Sequence, residues 1–96
     1  MSDWQYAGED RSEELAKLHS FSVKKRQSTG EIEFVITVKE YAQRTEQHMR
    51  FFAQANRQVN QKVAPFVPFG WGDTLVEALS ECMKAIRSFP YDDPQL

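Results

Sequence analysis

Polar and apolar positions first fall into a helical rhythm near Ser12. This residue precedes Glu13 and Glu14, and Leu15 and Leu18 lie three apart, which predicts a helix of about two turns with a serine cap and an acidic first turn. His19 would end it. From Phe21 the period drops to two, as Phe21, Val23 and Lys25 alternate with Ser22, Lys24 and Arg26. Gln27-Ser28-Thr29-Gly30 then supplies hairpin chemistry. The run from Glu31 to Tyr41 is the clearest strand, with Ile32, Phe34, Ile36 and Val38 on one face and Glu33, Val35, Thr37, Lys39 and Tyr41 on the other. Beyond a polar connection at Ala42 to Thr45, a third strand is predicted, with Met49, Phe51, Ala53 and Ala55 set against His48, Arg50, Phe52, Gln54 and Asn56.

The stretch from about Asn60 to Gly72 is punctuated by Pro65, Pro68, Gly70 and Gly72, so it reads as an irregular connection. Its large apolar groups serve either the core or a ligand; Phe66 and Trp71 are assigned to closing the end of the core. Thr74 and Glu77 then fit a capping box, ahead of a helical stripe of Leu75, Ala78, Leu79, Cys82, Ile86 and Phe89 that Pro90 stops after Ser88. The expected fold is α+β and two-layered: a helix, a three-stranded antiparallel meander, and a C-terminal helix packed on one sheet face. One domain is expected, with its core in residues 12–89 and loose segments at 1–10 and 91–96.

Composition narrows the chemistry. Ninety-six residues, 41% of them hydrophobic, sustain one core without staples. A single cysteine, Cys82, excludes an internal disulfide, and with His19 and His48 it makes no zinc pattern, so neither metal nor cofactor is expected. No apolar run approaches the roughly 20 residues of a membrane span, and the opening Met1-Ser2-Asp3-Trp4-Gln5 has no secretory pattern, which predicts a cytoplasmic protein without membrane contact. The net charge of −2 conceals a partition: residues 21–62 hold eight cations against four acids, between two acidic ends.

The run Gly70-Trp71-Gly72-Asp73-Thr74, taken with the predicted element order, resembles the double-stranded RNA-binding domain, where a G-x-G-x-S element leads into the last helix. Gly70, Gly72, Thr74 and Ala78 match its small or hydroxyl positions, and the resemblance implies that family's fold over residues 12–89. Where the family carries phosphate-binding lysines, this chain has Leu75, Val76 and Leu79, with Glu77 and Glu81 nearby. The resemblance therefore implies topology more than RNA binding.

No nucleophile motif, phosphate loop or acid pair is legible, so the sequence points away from an enzyme and provides no catalytic residue. Cys82 lies on the apolar stripe and reads as core. If the apolar set of each strand faces the helix, the opposite face gathers Lys24, Arg26, Val35, Lys39, Tyr41, His48, Arg50 and Phe52. Lys24, Arg26, Lys39, Tyr41, Arg50 and Phe52 are the binding candidates there, with Phe69 and Trp71 as a second set. Apolar groups on an open sheet favour a protein partner or self-association. Cations interleaved with rings are the alternative logic of a nucleic-acid surface.

Overall fold

The computed structural model describes residues 3–8, 12–42 and 49–91 of the chain. After a 3-10 helix at Asp3–Ala7 come β1 (Ala16–Gln27), β2 (Gly30–Tyr41), β3 (Phe51–Ala55), β4 (Phe69–Gly72) and α1 (Leu75–Ser88). The strands form one antiparallel sheet in the order β1-β2-β3-β4, with α1 across one face, so the fold is α+β as expected. The hairpin turn lies where Ser28 and Thr29 place it, and Gly30 takes the φ of +135° that an L side chain rarely adopts. At about 3.3 Å per residue its twelve-residue strands run roughly 40 Å, which sets the 48 Å long axis of the molecule.

Two elements differ from the sequence reading. Residues 16–19, assigned to a first helix, are strand: Leu18 pairs with Lys39 and His19 with Val38, and the long-range ladder overrides a helical spacing only two leucines long. Phe69–Gly72, assigned to a loop, is the fourth strand, paired with Phe51–Gln54. The third strand starts at Phe51 rather than Met49, and His48 lies outside the described residues.

The core sits between sheet and helix. Phe34, Ile36 and Val38 of β2 are fully buried, with Ala53 of β3 and with Ala78 and Cys82 of α1. Each large one contributes about 1.5–3 kcal/mol by leaving water. The segment between β3 and β4 folds back: Val59 is fully buried and bridged to Phe66, and the Phe66 ring meets Phe89 edge-on at 4.9 Å. Phe66 thus closes one end of the core. Asn56 finishes β3 with its side chain, whose Oδ1 accepts from Val35 N–H at 2.9 Å. Tyr91, placed in the tail by the sequence, packs edge-on against Phe34, and its N–H donates to Gln27 Oε1.

The start of α1 is capped by its own neighbours in sequence and its end by a residue the sheet brings to it. Thr74 Oγ1 accepts from Glu77 N–H at 3.1 Å, and Glu77 returns a carboxylate oxygen to Asp73 N–H at 3.0 Å. At the far end Lys25 of β1 donates its Nζ to the carbonyls of Ile86 and Phe89. Desolvation holds this ammonium below the usual lysine pKa. Lys25→Met keeps the stem and removes both hydrogen bonds. It is expected to cost about 1–2 kcal/mol in urea unfolding, whereas Lys24→Met, on the exposed side of the strand, should change stability by less than about 0.5 kcal/mol.

Candidate functional site

Alternation along the paired strands separates two faces. The helix side takes Phe21, Val23 and Lys25 of β1, Phe34, Ile36, Val38 and Glu40 of β2, Phe51, Ala53 and Ala55 of β3, and Gly70 and Gly72 of β4. The open side takes the intervening positions. One rung across the sheet reads Leu18, Lys39, Phe52, Trp71, and the next reads Ser20, Thr37, Gln54, Phe69.

The rungs assemble an aromatic cluster. Phe52 and Trp71 have ring centroids 4.4 Å apart, Tyr41 stacks beside Trp71 at 6.4 Å, and Phe69 lies 6.3 Å from Phe52. Trp71, assigned by sequence to the core, is instead on this face, because its strand points Gly70 and Gly72 at the helix. Phe69 is 53% exposed and Leu18 61%. Apolar surface continues around β4 in a shallow groove lined by Met49, Phe69, Trp71 and Val76. Burial raises the Tyr41 pKa above its usual value, reinforced by the nearby Glu14 carboxylate.

The cations divide differently. Lys24 and Arg26 share the open face as expected, but their register partners are Glu33 and Glu31, and Arg26 Nε lies 3.4 Å from Glu31. Arg50 leaves the set: its guanidinium lies 3.0 Å from Glu40 and 5.7 Å from the Phe51 ring, both helix-side residues. Glu40 also takes His19 Nε2 at 2.9 Å. Lys39 alone of the named cations borders the aromatic cluster, and no carboxylate occupies a neighbouring register position.

The face is flat. The depression at its centre, between Val35, Thr37, Lys39, Phe52 and Gln54, holds about 130 Å³, below the roughly 300 Å³ where small-molecule sites begin, whereas the open groove past β4, which Glu77 and Glu81 also line, holds about 660 Å³. Among the described residues no group of three His, Cys, Asp or Glu is arranged to hold a metal ion, and no helix is long and apolar enough to cross a membrane. Cys82 is fully buried with its thiol directed at the Pro68 carbonyl, and burial pushes its pKa up to about 11, so the reactive thiolate is suppressed. The helix start has no spare donor at Asp73 or Glu77, both taken by the caps.

No family model, curated protein or solved structure matches this chain. The Gly70-x-Gly72 spacing that underlies the double-stranded RNA-binding resemblance has a packing cause here, since both glycines lie directly beneath the backbone of α1. Register was the signal available for Trp71. Read as a strand, Phe69-Gly70-Trp71-Gly72 alternates large and small residues with period two.

Proposed function

We propose that this chain is a non-enzymatic association domain whose open sheet face docks a protein surface, a second copy being the first partner to examine. The supporting observation is the contiguity of Tyr41, Phe52, Phe69 and Trp71 on the side of the sheet away from the helix. Aromatic anchors clustered at the centre of a flat patch and rimmed by polar groups are the usual composition of a protein interface. Lys39, Thr37 and Gln54 supply the rim.

Charge decides against nucleic acid as first choice. A strand-binding surface gains most of its affinity by neutralising phosphates, and here Lys24, Arg26 and Arg50 already face Glu33, Glu31 and Glu40. Lys39 is left to meet the phosphates beside the rings.

Amide-shift NMR tests the assignment, first by dilution and then with short single- and double-stranded nucleic acids at two salt concentrations. The expected result is concentration-dependent shifts at Lys39, Phe52, Phe69 and Trp71 that persist at high salt. The reading is overturned if those residues are indifferent to dilution and shift with nucleic acid in a salt-sensitive way.

A further inference from the structure

The outer edge of β1 leads beyond the open face. Leu15 C=O accepts from Ala42 N–H of the chain continuing from β2, which fixes the direction of every backbone group along β1. Odd-numbered positions turn their N–H and C=O toward β2, so Ala16, Leu18, Ser20, Ser22, Lys24 and Arg26 turn theirs outward. β1 is an end strand, and among the described residues no backbone hydrogen bond reaches that edge. It is a regular twelve-residue strand without proline or bulge against its partner, the kind of edge that pairs with another chain unless something prevents it.

Charge along this edge is polarised. Glu13 and Glu14 stand just ahead of the strand, separated from it by Leu15, with Lys17 the one cation near that end among the described residues, and Lys24 and Arg26 stand at the other end on the open face. A parallel neighbour would set like charges together. An antiparallel neighbour with the same sequence sets acid against base at both ends, so the lysines that ordinarily guard an edge become complementary to a second copy.

Register narrows the pairing. A two-fold axis perpendicular to the sheet keeps both helices on one side, and outward-pointing residues must then meet outward-pointing residues. Centred on Ser20, it places Glu14 opposite Arg26, Ala16 opposite Lys24 and Leu18 opposite Ser22. Centred on Phe21 it would oppose Lys17 to Lys25, two like charges on the same face.

We infer that β1 pairs antiparallel with β1 of a second copy about a two-fold axis at Ser20, forming a continuous eight-stranded sheet. Both aromatic clusters then lie on the same side of that sheet and remain uncovered, so this dimer is independent of whatever the open face binds.

A charge-swap cycle read by sedimentation velocity tests it. Glu14→Lys and Arg26→Glu are each expected to weaken dimerisation about tenfold, and the double variant Glu14→Lys/Arg26→Glu is expected to restore it. Neither exposed position carries the core, so folding is preserved. Ser20→Pro removes an outward N–H without touching the β1–β2 ladder, and should leave a folded monomer by circular dichroism. Ser20→Cys should cross-link under mild oxidation while Ser28→Cys at the hairpin tip does not, the buried Cys82 taking no part. A wild-type chain that stays monomeric at millimolar concentration overturns the inference. So does a dimer indifferent to both charge reversals and to Ser20→Pro; if Trp71→Ala dissociates that same dimer, the contact is the open face and the association reading stands without the edge.

Discussion

Gly70→Ala is expected to destabilise the domain by about 3 kcal/mol or more, the upper end of what one inserted methyl does in a packed interior. A Cβ at this position would lie 2.5 Å from the Ala78 carbonyl oxygen, 2.7 Å from Cys82 N and 2.7 Å from Glu81 Cβ. None of these is the free end of a side chain. Relief requires α1 to rise off β4 as a body, opening the contact around Ala78 and Cys82, both fully buried. Gly72 is in the same position, 2.5 Å from Glu77 Cβ and 2.6 Å from Ala78 N. Gly8→Ala is the control, because its added methyl meets only the Leu15 side chain at 3.4 Å. For a domain of this size the Gly70 effect corresponds to a fall in Tm of roughly 12 °C or more. A Gly70→Ala chain within about 1 kcal/mol of wild type in urea unfolding would show that the helix does not rest on β4 as described.

The same glycines explain what the chain disclosed and what it withheld about its fold. The hairpin, the faces of β2 and the span of α1 were legible because each rests on local information: Gly30 at the turn, four apolar residues at period two, Thr74 and Glu77 at the cap. β4 was not legible, since two glycines and a flanking proline carry the statistics of a loop. They are there because a helix crosses at backbone distance, a tertiary requirement with no local signature. The first turn of β1 failed for a related reason. Leu15 and Leu18 suit a helix, but residues 16–19 have the whole length of β2 to pair with, and the ladder is the stronger constraint.

The candidate site was half visible for a different reason. Lys39, Tyr41 and Phe52 followed from alternation alone, and β4 brought Phe69 and Trp71, named separately, onto the same face. Arg50 shows the limit of parity. Its backbone sits opposite Tyr41 in the ladder, yet at the end of a strand a long guanidinium can turn, and Glu40 holds it on the other side. Lys24 and Arg26 were placed correctly, but only the cross-strand register reveals Glu33 and Glu31 opposite them. That pairing is what shifts the balance from a phosphate-binding surface to an apolar one.

Trp71→Ala is expected to weaken association through the open face by roughly a hundredfold, the loss typical of a central aromatic anchor. Trp71 is the ring that both Phe52 and Tyr41 pack against, so its removal breaks the cluster into separate groups. The accompanying stability loss should be smaller than that of Gly70→Ala, because the ring is only half-buried and lies outside the core. Lys39→Glu, in the same rung with Phe52 between it and Trp71, separates the two surface chemistries. On an apolar interface a single rim charge changes affinity by a few-fold and acts mainly through salt dependence. On a nucleic-acid surface, reversing the cation beside the rings should equal or exceed the loss from Trp71→Ala and flatten the salt dependence. Following the shifts of Phe52 and Phe69 in both variants, on dilution and on titration with a short single-stranded oligonucleotide, ranks the two losses for each partner. Oligonucleotide shifts that Lys39→Glu abolishes more fully than Trp71→Ala, without dilution shifts, would transfer the face from protein to nucleic acid, since affinity would then follow the charge rather than the buried ring.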